Sequence, residues 1–72
     1  MATPNEAILQ LIKTMSATGV AVEVKAAAAE GLGYAGGVAA RDALIKVINS
    51  TGISVEVKAA AAKALGRAVS VP

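Results

Sequence analysis

The sequence predicts an all-α fold, with four helices arranged as two stacked helix pairs. Three observations carry this. The octapeptide Val22-Glu-Val-Lys-Ala-Ala-Ala-Ala29 returns letter for letter as Val55-Glu-Val-Lys-Ala-Ala-Ala-Ala62, 33 residues later. Sliding the whole chain by 33 also pairs Leu11-Ile12-Lys13 with Leu44-Ile45-Lys46, Thr18-Gly19 with Thr51-Gly52, and Leu32-Gly33 with Leu65-Gly66. About half the positions of 5–38 recur in 38–71, and a period of that length is one helix pair packed on its neighbour. Finally, the apolar residues of each copy fall at helical spacing. The 72 residues therefore form one domain, 1–72, of two 33-residue repeats at about 5–37 and 38–70.

The first helix is expected over 4–17. Thr3-Pro4-Asn5-Glu6 has the form of a capping box with Pro at the first helical position, where its missing N–H costs nothing. Ile8, Leu11, Ile12 and Met15 follow at i, i+3, i+4, i+7, and Gly19 closes the helix as the residue after its cap.

The second helix, over 22–35, needs more argument. Val20, Val22 and Val24 alternate with Ala21, Glu23 and Lys25, which is a strand signal. The four alanines that follow are the strongest helix formers, and two short strands from separate repeats would make only a two-stranded sheet. Helix is therefore the reading, with Val24, Ala28, Leu32 and Ala35 on one face. Gly31 frays its end and Gly36-Gly37 breaks it.

The third helix, 38–50, repeats the first. Leu44, Ile45 and Ile48 take the positions of Leu11, Ile12 and Met15, Gly52 repeats the terminator, and Asp42 and Lys46 suit the helix dipole. Arg41 replaces Ile8 and makes its first turn less apolar. The fourth helix, 55–69, repeats the second. Ser54 is its cap, Glu56 lies in the first turn, and Val57, Ala61, Leu65 and Ala68 share a face. Ala28 and Ala61 are expected to be the buried members of the alanine blocks, since small side chains let neighbouring helices approach.

These motifs resemble a HEAT-like repeat of the short, bilin-lyase type. The resemblance rests on Val57-Lys58, the alanines 59–62 and Leu65-Gly66-Arg67, and in the first copy on Val24-Lys25, the alanines 26–29 and Leu32-Gly33. Ala43-Leu-Ile-Lys-Val-Ile48 is similar to the second helix of such a unit. The chain departs from the pattern at Tyr34, where a basic residue would stand. It has Thr-Gly turns in place of Asp-Pro, and it begins with the family's second helix. The resemblance implies an α-solenoid and a protein-binding or scaffolding role. It also admits an accessory subunit of a tetrapyrrole or bilin lyase-type enzyme. Repeats this alike, ending at Val71-Pro72, are compatible too with a fragment or a designed consensus array.

Composition narrows the chemistry. The chain has no Cys, His, Trp or Phe, and Tyr34 is its one aromatic. The commonest nucleophiles, bases and transition-metal ligands are therefore absent, and an enzyme, a metal site or a cofactor is not expected. Gly31-Leu-Gly33-Tyr-Ala-Gly36 fits the letters of the dinucleotide fingerprint, but it ends a helix instead of joining a strand to one, and Gly31 and Gly36 become Ala64 and Val69 in the second repeat. Glu23 and Glu56 are equivalent first-turn charges, not an acid–base pair.

The net charge of +2 comes from scattered cations. Lys25, Lys58, Lys63 and Arg67 are the candidates for a phosphate backbone, yet acidic residues are interspersed and nucleic acid is not expected as a partner. No uncharged apolar run nears the roughly 18–20 residues that span a bilayer, no signal peptide is evident, and a cytoplasmic protein with no membrane association is expected. Tyr34 reads either as an interface residue or as a cover for a helix end. The candidate binding residues are Tyr34, Lys25, Lys58 and Arg67.

The apolar content is mostly Ala and Val, which bury little area each, and a chain of this size is marginal alone. Neither repeat has the polar outer face of a cap. Self-association through the exposed ends is the expectation, most simply as a two-fold dimer, alongside a protein partner.

Overall fold

The computed structural model describes residues 3–70. Met1, Ala2, Val71 and Pro72 lie outside them, and so does the sequence reading based on the chain's ending at Val71-Pro72. Four helices follow one another: α1 (Pro4–Ser16), α2 (Val22–Ala35), α3 (Gly37–Asn49) and α4 (Val55–Ser70). No strand occurs among the described residues, and the alternating valines at 20–24 and 53–57 lead into helices. Tertiary packing and the alanine blocks outweigh the period-two signal.

The helix starts follow the sequence closely. The Glu6 amide donates to Thr3 Oγ1 at 3.1 Å and the Thr3 amide donates to Glu6 Oε1 at 2.9 Å, completing the capping box. At α4 the Val57 amide donates to Ser54 Oγ at 3.3 Å. The matching position of α2 is Ala21, which has no side chain to offer, and α2 begins without a side-chain cap.

Helix ends depart from expectation in two ways. Gly19 and Gly52 do not close α1 and α3. The caps are Ala17 and Ser50 in extended conformation, their amides donating back to Thr14 O and Val47 O. The glycines come two residues later at φ +75° and +79°, where they turn the loop. Nor does α2 fray at Gly31. It runs unbroken to Ala35, because Gly31 packs beside Leu11 and Gly33 lies against Ala64. The break does come at Gly36, φ +66°.

α1 packs on α2, α3 packs on α4, and the broadest contact joins α2 to α4. Val22 and Glu23 share a cleft with Glu56 near the helix starts, and Tyr34 meets Arg67 near the ends, so α2 and α4 run parallel. Their close approach is a consequence of alanine and glycine on the touching flanks. α1 and α3, which carry longer side chains, touch only sparingly.

The core is correspondingly lean. Met15, Leu32, Leu44 and Val57 are its largest fully buried side chains, surrounded by Ala28, Ala29, Ala40, Ala61 and Ala68 among others. Ala28 and Ala61 are buried as expected, but they are not alone in their blocks, since Ala29 and Ala60 are buried too, each on the flank where α2 and α4 meet the rest of the fold. The expected faces hold only in part. Val24 and Ala35 are exposed and Leu65 is half-buried, while Val57 and Ala68, the equivalents of the first two, are enclosed. In each such pair, the member lying between the two helix pairs is covered and its copy on an outer side is not.

Candidate docking surfaces

Three features of the surface carry side chains capable of recognition. The first follows from the splaying of α1 from α3, which opens a cleft of about 600 Å³. Its apolar lining includes Ile12, Met15 and Ile53, and its polar groups include Lys25, Asp42 and Lys46. Lys25 is half-buried here and lines the cleft. Asp42 and Lys46 fall one helical turn apart on α3 and so present both signs of charge to one opening. Their part in a cleft was not visible in the sequence. The available signal was a contrast in bulk, since Ala- and Gly-lined flanks draw α2 and α4 together and leave the other two helices apart.

The second feature joins two of the sequence candidates. The Arg67 guanidinium lies 4.3 Å from the centroid of the Tyr34 ring, within cation–π range. These are equivalent positions of the two repeats, so the departure at Tyr34 has a physical consequence. A basic residue there would face Arg67 with like charge, whereas the tyrosine ring offers its electron-rich face. Tyr34 remains 66% exposed, so its outer face is open to a further contact. Lys58 is half-buried on α4 and does not line the α1–α3 cleft, so the structure does not gather the four candidates into one site.

The third feature is the exposure of apolar side chains on the outer sides of α2 and α4. Val55 and Val69 are 79% and 68% exposed, and Val24, on the first copy of the octapeptide, is 49% exposed against 1% for its equivalent Val57. Leu9, Val38 and Ile45 add to the exposed apolar surface. These exposed apolar side chains are spread over all four helices, and those of α2 and α4 lie on the outer sides of the two repeats.

Glu23 and Glu56 stand with Val22 and Ala26 around a shallow depression between α2 and α4. Among the described residues no group of three or more acidic side chains is placed to hold a metal ion. No helix among them is long and apolar enough to cross a membrane. Compared with protein-family models, with curated proteins and with solved structures, the chain matches none.

Proposed function

We propose that the chain is a self-associating, non-enzymatic protein-interaction module of HEAT-repeat type, a short α-solenoid of two units that presents its outer helix sides to partners. The observation that carries this reading is the inequality between repeats. Identical octapeptides bury one set of side chains between the units and leave the equivalent set bare on the outside, as Val57 and Val24 do. A repeat unit that has a neighbour on one side only has an unmet interface on the other. Such a surface is apolar, regular and free of the groups that bond-making chemistry uses.

The test is site-specific photo-crosslinking of the full chain in cells. A photoreactive residue replacing Val69, on the bare side of α4, should form protein adducts. The same residue replacing Glu30, an exposed charged position on α2, should not. Equal yields from the two sites, or none from either, would end this reading.

A second reading is favoured by the α1–α3 cleft. An apolar lining with Lys25 and Lys46 at the opening, offset by one carboxylate at Asp42, leaves a net positive rim that suits a flat apolar ligand bearing carboxylates, as in an accessory subunit that handles a bilin. Adding bilin to the purified protein should then shift the pigment's absorbance, and a spectrum unchanged at millimolar protein discards the idea.

A further inference from the structure

α2 and α4 carry the same octapeptide, yet they use opposite flanks of it. α2 meets α4 through a flank that includes Ala29 and Gly33, with Gly33 pressed on the Ala64 backbone. The buried residues of α4 are Val57, Ala60, Ala61, Ala64 and Ala68, with Ala64 at the point of closest approach to Gly33. Sliding by the 33-residue period shows where each flank recurs. The α2 flank recurs on α4 at Ala62 and Gly66, continued along the same side by Val55, Ala59 and Val69, and all five are exposed. The α4 flank recurs on α2 at Val24, Ala27, Ala28, Gly31 and Ala35. Of these, Val24, Ala27 and Ala35 are exposed. A Cβ added to Gly33 would stand 2.8 Å from Ala64, whereas one added to Gly66 meets nothing within 4 Å. The chain thus carries both halves of its own broadest internal contact a second time, one half on each outer side: the half on α4 is bare, and the half on α2 is open at Val24, Ala27 and Ala35, with Ala28 buried and Gly31 packed beside Leu11 at its edge.

We infer that the occupant of these faces is a second copy of this chain, docked head to tail, with α4 of one copy lying parallel to α2 of the next in the register that α2 and α4 adopt within the molecule. This names the partner of the interaction module proposed above and rests on that reading. The contact is continuous with an interface the fold already contains, and its parts match in size. Gly66 falls opposite Gly31 of the next copy, which removes one methyl from the tightest point of the internal contact. Arg67 falls beside Tyr34 of the next copy, so cation and ring alternate along the stack and no two guanidinium groups meet. Glu56 lies near Glu23 of the next copy, a carboxylate juxtaposition the chain already accommodates across its inner depression.

The geometry is heterologous. Each copy uses one flank to give and a different flank to receive, so docking leaves one free flank at each end and growth continues. A two-fold dimer, the simplest expectation from sequence, would set α4 on α4 or α2 on α2, and neither pairing has a counterpart inside the molecule.

Sedimentation velocity on the full chain over a wide concentration range tests this. The unmodified protein should form species larger than one 7.0 kDa chain, increasing in size with concentration and without a plateau at two chains. Gly66→Lys blocks one flank and Ala27→Lys the other, both at exposed helix positions. Each variant alone should sediment as a single chain. An equimolar mixture should yield a species of two chains and nothing larger, because one intact pair of flanks remains. Ala62→Lys and Ala35→Lys serve the same purpose if circular dichroism shows that a first variant has lost its helices. Three results would each overturn the inference: an unmodified protein that stays a single chain, a single variant that still pairs with itself, or a mixture that does not combine. If the unmodified chain is monomeric while photo-crosslinks from position 69 join other proteins, head-to-tail docking fails and the interaction module survives. If both are absent, both fail.

Discussion

Gly33 of α2 approaches Ala64 of α4 so closely that an added Cβ would stand 2.8 Å from the Ala64 Cα, Cβ and O alike. The obstacle includes backbone, which cannot swing aside as a long side chain would. Gly33→Ala should therefore destabilise the fold. Overpacking costs about 1–3 kcal/mol, and the better helix propensity of alanine returns only ~1 kcal/mol. At Gly66, the same position of the other repeat, open space leaves only the propensity gain, and Gly66→Ala should stabilise by about 0.5–1 kcal/mol. Urea denaturation at the lowest workable concentration should show opposite signs. A neutral Gly33→Ala would mean that the helices can part at no cost.

A second pair separates repeat identity from position. Leu44 is fully buried between the helix pairs, and its equivalent Leu11 is only half-buried. Leu44→Ala should cost about 2–5 kcal/mol through lost transfer energy and the cavity left behind. A domain of this size has roughly 0.05–0.15 kcal/mol of stability per residue, so much of the total goes. Leu11→Ala should cost distinctly less. Equal losses in the two melts would contradict the burial difference.

Most of the helical architecture was legible because helix propensity, capping and a period of 33 residues are written in local sequence. The starts at Thr3 and Ser54 and the boundaries of α2 could be read from a few adjacent residues. Burial could not. Val24 and Val57 sit in identical octapeptides, and nothing inside those eight residues distinguishes the copy that has a neighbour from the copy that does not. The glycines misled for a related reason. Gly31 looks like a fraying point in a single chain segment, but packed beside Leu11, as Gly33 is against Ala64, it is a site of close approach. Among the candidate binding residues, the pairing of Tyr34 with Arg67 was implicit in their equal repeat positions. The α1–α3 cleft depends on how far two helices stand apart, which a count of small side chains suggests only after the packing is known.

Tyr34 and Arg67 provide a test of the cation–π contact. Tyr34→Arg places a basic residue there, as at Arg67, and sets two guanidinium groups together, while Tyr34→Leu retains apolar cover without the ring's quadrupole. Tyr34→Leu should cost about 0.5–1 kcal/mol, the range for exposed cation–π pairs, and Tyr34→Arg should cost more at low salt than at high salt because the added repulsion is screened. A Tyr34→Arg variant whose stability is independent of salt would show that the two side chains do not meet in solution.

Ala21 occupies an N-cap with φ −58° and ψ 143°, a conformation that suits a capping side chain, and it provides none. Its equivalent Ser54 does accept from the Val57 amide. Ala21→Ser should therefore stabilise the protein, and Ser54→Ala should destabilise it, each by about 0.5–2 kcal/mol. Thermal unfolding of the two variants beside the parent measures both. The Val24 amide already donates to the Ala21 carbonyl at 3.0 Å, and a loss on Ala21→Ser would show that this bond leaves a new hydroxyl nothing to accept.

The capping box of α1 makes a prediction about pH. The Glu6 carboxylate accepts from the Thr3 amide, and that bond first, with the adjacent Thr3 hydroxyl second, holds the Glu6 pKa below its ordinary 4.5; the Thr3 hydroxyl also accepts from the Glu6 amide and closes the box. Because the folded value is the depressed one, the contribution is fully present above the ordinary carboxylate value and is lost as pH falls through the lowered one. Glu6→Gln keeps an acceptor for the Thr3 amide but removes the titration. The stability difference between parent and Glu6→Gln should be level at neutral pH and should narrow in acid, with the other carboxylates titrating alike in both proteins. An NMR titration of the Glu6 carboxyl gives the direct reading. A midpoint at or above 4.5 would mean that the box is open in solution and that α1 begins without it.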